Sequence, residues 1–576
     1  MASSPLHPGR PLVSAVALLL ASCSGAPSER APRNDRAEAS RLLRQGLDFL
    51  AAGDTEAARG ALEKVVASEP SNGEAWLALA EASERFADAR VASGADPGAS
   101  FKDAARGFAE ACRLLPKDPR PRLGLAREGL RGSDWEEAAE RAAEARALAE
   151  SIGSRVERFG ANRILAEARI RFLASLPSAD SDPATRDALA RRATLALDAC
   201  AALEPARPEP FLLGAELDSL LGDEARARER LRRGVEACPE NEVLHQRLQR
   251  TYLARTPPET ETLLAAYEEL AAARPESPAT GWFLAYARFL SADERRRAHA
   301  WGEAIAGYEG AAAAYEEAGG RNPAFLDSCS HYEALALGSR GWCRHGEGDL
   351  QAAARLFLEA IERRPAILQA PDALGMTAKG GIDAVAAAWT DAGELERARD
   401  LFEKGTALVP QQSDWQNNLG FLCRQTGTAA EMAREPEKAK ALYERSFAAY
   451  EKALRVMPED PRLLNDCALI LLYHLDRDLD RAEAMFRQAI ELGEHALADS
   501  SVAAEKREAL LEAVGDACEN LGVLHHDKKK DLAGAKAFFE RSLEYAPRPR
   551  PRVSWYLSKI EEASGRAVPP PAGAPR

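Results

Sequence analysis

An alanine, then an aromatic or leucine four positions on, a small residue three further and a proline five further: this spacing returns along most of the 576 residues. It reads Ala104, Phe108, Ala111, Pro116, then Ala353, Phe357, Ala360, Pro365, then Ala398, Phe402, Gly405, Pro410. Looser copies include Ala58, Leu62, Val65, Pro70 and Ala227, Leu231, Gly234, Pro239, and another closes on Pro205, 34 residues before Pro239. Steps of four and three place the alanine, the ring and the small residue on one helical face. The alanine lets a neighbouring helix come close, the ring fills the space beside it, and proline ends the helix. Gly53-Asp54, Gly222-Asp223, Gly348-Asp349 and Gly393-Glu394 precede several copies. Glycine suits the left-handed turn that closes one helix, and a carboxylate suits the start of the next. Ahead of each turn lies another amphipathic stretch, such as Trp76-x2-Leu79-Ala80 or Leu419-Gly420. The unit is a helix hairpin of about 34 residues.

These residues resemble the tetratricopeptide repeat family, whose pattern runs W-x2-L-G-x2-Y, then A-x3-F, then P. The resemblance covers nearly everything from Arg36 to Pro547. It implies an all-α solenoid of roughly twelve hairpins wound into a right-handed superhelix, residues 36–566, closed by a capping helix around Trp555, Leu557 and Ile560. Inserts or lengthened helices are expected near residues 86–101, 152–183, 291–301 and 427–438, and residues 366–381 fall out of phase. Residues 567–576, with Pro569-Pro570-Pro571, read as a disordered tail.

The N-terminus carries a different signal. Arg10 and Pro11 precede the apolar run at residues 13–20, and Leu20-Ala21-Ser22-Cys23 closes it. A basic start, an apolar middle and small residues form the layout of an export signal. Ending on cysteine, it resembles the lipobox of bacterial lipoproteins. That resemblance implies a signal peptide over residues 1–22, cleavage before Cys23, lipidation of the Cys23 thiol, and a flexible tether over residues 23–35. Two or three acyl chains anchor stably, at about 0.8 kcal/mol per buried methylene. The lipid is then the one membrane attachment expected, since no other stretch approaches the roughly 18 apolar residues a span needs. Ser24 follows the cysteine, where aspartate would favour inner-membrane retention, so the expected location is the bacterial envelope, at the outer membrane facing the periplasm.

Composition excludes some partners. The net charge of −14 does not draw the chain to nucleic acid or to anionic lipid headgroups. Apart from Cys23, the eight cysteines show no paired spacing and read as buried thiols serving as small apolar groups. There is no phosphate-cradling lysine loop, no G-x-S-x-G and no H-E-x-x-H, so no catalytic residue, metal ligand or cofactor is expected. His525-His526, beside Asp527 and three lysines, reads as the solvated turn of the last hairpin.

In the resembled family the first helices line the concave face, and the residue before the Leu-Gly pair points into it. Here those positions are Asn418, Asp466 and Asn520, with Asn417, Asn465 and Arg424 nearby. They are expected to be accessible and to form one wall for a protein or peptide segment. The reading is a non-enzymatic interaction scaffold. An envelope enzyme or carbohydrate-handling protein built on the same body would instead show titratable residues in a deep pocket, and a structural spacer would show no shaped polar groove.

Overall fold

The computed structural model describes residues 33–177 and 182–563. The expected signal peptide, Cys23, nearly all of the tether and the tail lie outside the described residues. The first helix begins at Arg33, so the last three residues assigned to the tether are helical. Among the described residues there are twenty-five α-helices and no strand. Twenty-four of them pair as twelve hairpins, and the last, Pro551–Ala563, caps the array. The chain divides into two compact units, Met1–Cys238 with five hairpins and Pro239–Arg576 with seven.

The repeated spacing builds the core. Ala353, Phe357 and Ala360 are fully buried on the helix Leu350–Arg363, and Ala398, Phe402 and Gly405 hold the same places on Leu395–Leu408. Gly348 stands at φ +82°, a left-handed conformation that costs other residues energy. Asp349 then accepts a hydrogen bond from the Ala352 N–H at 3.0 Å, satisfying one orphan donor of the next helix. Asp54 and Asp223 cap their helices in the same way, but Glu394 makes no such bond.

The expected inserts are extra helical turns. Pro278–Arg297 pairs with Trp301–Arg321, and Ser413–Met432 with Pro436–Val456, each helix some twenty residues long. Arg155–Ser175 and Pro183–Leu203 form a hairpin of their own where the sequence suggested an insert. Residues 365–377 do break the pattern. A short 3-10 turn, Pro365–Gln369, leads into irregular chain before the helix Ala378–Asp391.

Two first helices in the second unit end in widened π turns, Leu471–Leu475 and Leu524–Lys529. The second corrects the reading of His525. It is buried, its Nδ1 2.9 Å from Asp531 and its Nε2 3.3 Å from Glu483, because the wide turn swings it inward. All eight described cysteines carry free thiols, six of them buried. Burial pushes the Cys343 and Cys423 thiols up to about 11, so both stay protonated at neutral pH. No described helix is long and apolar enough to cross a membrane.

Candidate functional site

Three successive first helices in the second unit, Ser413–Met432, Pro461–Ile470 and Ala504–Val523, carry the residues singled out from the sequence. Asn418 is half-buried, and no protein group among the described residues hydrogen-bonds its side chain. One helical turn on, Phe421 is 40% exposed with the Arg424 guanidinium 5.5 Å from its ring centre. Asp466 is also half-buried. Its one hydrogen bond is a long one from Asn465 Nδ2, at 3.5 Å. Burial pushes its carboxyl above the usual carboxylate range, Arg424 and Arg462 pull it down, and Asp516 adds to the rise. Among the described residues neither Arg424 nor Asp466 is in an ion pair, whereas Arg445, Arg477 and Arg481 bind Glu403, Glu444 and Glu451.

Asn520 does not belong to this wall. It is buried, donating from Nδ2 to Asn465 Oδ1 at 2.9 Å and accepting from the Tyr473 hydroxyl at 2.8 Å. At 6% exposure, with its amide turned into the packing, it is not the accessible side chain that was expected. The outer face of its helix is also covered. Arg550 binds Asp516 at 2.6 Å and Glu519 at 3.1 Å, and Arg552 donates to Tyr473 at 2.9 Å. Of the three residues expected to form a wall, Asn418 and Asp466 remain partly exposed, and Phe421 and Arg424 lie on the helix of Asn418. Phe421 was legible as an aromatic on the polar side of a first helix, directly after the Leu-Gly pair.

Earlier in the same unit, two first helices, Pro278–Arg297 and Leu326–Gly346, share a half-buried aromatic group. Trp282 stacks on Tyr286 at 5.9 Å, Tyr286 meets Tyr332 edge-on at 5.6 Å, and the Trp282 indole donates to Ser328 at 3.0 Å. Behind them lies a buried polar cluster. The Arg296 Nη2 donates to Asp372 Oδ2 at 2.7 Å, Asp293 is 3.9 Å from Arg296, and the Tyr308 hydroxyl donates to Asp293 at 2.5 Å. Burial raises the Asp293 carboxyl to about 6, against the pull of Tyr308 and Arg296. No group of three histidine, cysteine or acidic side chains among the described residues is placed to hold a metal ion.

A family model described as "Tetratricopeptide repeat" matches residues 515–549, which span the twelfth hairpin from within its first helix. Those residues are a tetratricopeptide repeat. The helix hairpins of both units have this repeat's architecture. Comparison with curated proteins gives no match. Among solved structures, PilF of Pseudomonas aeruginosa is 17% identical over 43% of this chain and 97% of its own, at a TM-score of 0.31. A thermophilic tetratricopeptide repeat protein of Thermus thermophilus is 20% identical over 36% of this chain and 98% of its own, at 0.25. YrrB, described as having an unusual peptide-binding site, is 14% identical over 37% of this chain and 93% of its own, at 0.27. Similarities of that size assign no partner and no activity to this chain.

Proposed function

We propose that the chain is a non-enzymatic scaffold of a bacterial envelope, anchored by lipid on Cys23, that binds protein segments along its first helices. The observation that supports the binding half is the half-buried Arg424 guanidinium, in no ion pair among the described residues and 5.5 Å from the 40% exposed ring of Phe421, with the half-buried Asp466 on the next first helix. A desolvated charge without a partner costs stability. Arg424 and Asp466 attract each other without a direct contact, and a protein segment that hydrogen-bonds them and covers the ring would recover that cost on binding. Tetratricopeptide arrays in general serve protein–protein contact, over a surface that sums modest contacts from several repeats.

Photo-crosslinking tests this surface. A benzophenone side chain at Phe421 should capture a discrete partner in intact cells, while the same group at Leu195, 69% exposed on Pro183–Leu203, should not. Equal capture at both positions would reject the surface. A companion variant, Asp466→Asn, should stabilise the protein by up to about 1 kcal/mol while weakening partner binding. The sign follows from the raised carboxyl: the folded state holds its proton to higher pH than the unfolded chain. Wild-type stability therefore falls as pH rises from the ordinary carboxylate range to that raised value, and the variant lacks this slope. Thermal melts at several pH values would show it; a variant that is less stable than wild type at neutral pH would mean that the Asp466 charge is structurally satisfied.

The anchor is tested separately. Cys23→Ala should abolish incorporation of a fatty-acid probe and leave the signal uncleaved, or release a soluble protein where a general signal peptidase cuts it. Unchanged incorporation would rule out lipidation at Cys23.

A further inference from the structure

Residues 365–376 connect a second helix, Leu350–Arg363, to the first helix Ala378–Asp391, yet they do not take the short path between them. They reach across to two earlier first helices. Asp372 lies 76 residues after Arg296 and binds its guanidinium at 2.7 Å. The Ser339 hydroxyl, on Leu326–Gly346, approaches the same carboxylate oxygen at 3.5 Å. The other carboxylate oxygen closes a local loop, accepting the backbone N–H groups of Leu374 at 2.8 Å and Met376 at 3.0 Å. Asp372 and Ile367 are buried, whereas Pro371, Ala373 and Gly375 are exposed. The segment is thus a strap on the first-helix face, held at its start by Ile367 in the apolar core and at its tip by the Asp372 side chain.

The socket that receives Asp372 is only partly used. Arg296 is 3% exposed, and of its three nitrogens only Nη2 donates; Nε and Nη1 are buried without a hydrogen-bond partner among the described residues, as is Asp293 Oδ2. An arginine fork matches a carboxylate best when two of its N–H groups engage both oxygens. Asp372 cannot do this, because its second oxygen is held by its own loop. A carboxylate without that obligation can engage Arg296 with both oxygens, and exchanging one carboxylate for another leaves the charge of the cluster unchanged. Trp282, Tyr286 and Tyr332 lie half-buried on the same two helices, nearer their N-terminal ends, and pack on one another.

We propose that residues 365–376 occupy part of the partner-binding face, and that an extended peptide carrying an acidic side chain displaces them by taking the place of Asp372 on Arg296. This rests on the scaffold reading, which the crosslink at Phe421 tests independently. A protein whose binding-competent state is only a minor fraction shows an affinity reduced by that fraction, so loosening the strap should tighten binding.

The probe is a fluorescent synthetic peptide with the sequence of residues 365–377, capped at both ends and added to the full chain. Asp372→Asn keeps an oxygen for the two backbone N–H groups and removes the charge that holds Arg296. It should bind the probe about tenfold more tightly than wild type. That gain should vanish when the probe carries asparagine for aspartate, or when Arg296→Met is added to the protein. Hydrogen exchange on the wild type gives a second reading that needs no variant to fold. The amides of Leu374 and Met376 should exchange well before those of Leu326–Gly346. Equal probe binding by wild type and Asp372→Asn would overturn the proposal. So would exchange of the Leu374 and Met376 amides only together with the helix beneath, since the segment would then be a fixed part of the core.

Discussion

Phe357→Ala is expected to cost about 3–5 kcal/mol, and to cost it locally. The ring is fully buried on Leu350–Arg363. It lies against two glycines from the first helices on either side, Gly341 and Gly381, and a methyl group at either would overlap it. Trp342 meets it edge-on at 5.4 Å. Three helices from two hairpins thus close around one side chain, and deleting it opens a cavity that none can fill without backbone movement. In an array where each hairpin contacts mainly its neighbours, the loss stays near its source. Hydrogen exchange should rise in Leu326–Gly346, Leu350–Arg363 and Ala378–Asp391 while the first unit keeps its protection. A rise of equal size along the whole chain would mean that the array unfolds as one cooperative body.

That burial was legible because it follows from spacing alone. Ala353, Phe357 and Ala360 face one way on any helix, and Pro365 marks its end. The caps at Gly348-Asp349 were legible for the same local reason. What escaped the sequence depends on distant partners. Asn520 sits at the position that should face outward, but Asn465 and Tyr473 turn its amide into the packing, and no local pattern carries that information. His525 reads as part of a solvated turn until a widened helical turn brings it between Asp531 and Glu483. Residues 365–376 have no period at all, so their irregularity was visible while their path to Arg296 was not. Phe421 and Arg424 lay on a first helix identified correctly, and only the structure shows the ring exposed with the Arg424 guanidinium beside it.

Removing two arginines from the first unit should steepen the gain in stability that the helices they join make as pH falls. Glu84, 6% exposed on Gly73–Ala92, accepts two hydrogen bonds from Arg127, at 2.7 and 2.6 Å, and pairs with Arg131 at 2.8 Å, both from Pro119–Arg131. Burial alone would raise its carboxyl, but the hydrogen bonds and charge of Arg127, aided by Arg131, hold it below the ordinary range. Nearby Glu128 is already pushed up to about 7 by burial, and Glu81 is raised by burial against the pull of Arg120 and Arg127. In the double variant Arg127→Met and Arg131→Met, the apolar stems keep much of their packing against Phe108 and Phe101 while the charges go. A buried charge that loses its partners costs about 3–5 kcal/mol.

The wild-type Glu84 contribution is present above its unfolded value near 4.5 and is lost as pH falls through its lower folded value. In the variant all three carboxyls sit above that unfolded value, so the folded state binds protons that the unfolded chain releases. Its stability therefore rises as pH falls from about 8 toward 5, and the deficit relative to wild type narrows over that range. Hydrogen exchange in Gly73–Ala92 and Pro119–Arg131, corrected for the intrinsic pH dependence of exchange, measures the deficit directly. A deficit that stays constant across those pH values would show that lost packing, and not an uncompensated Glu84, accounts for the change.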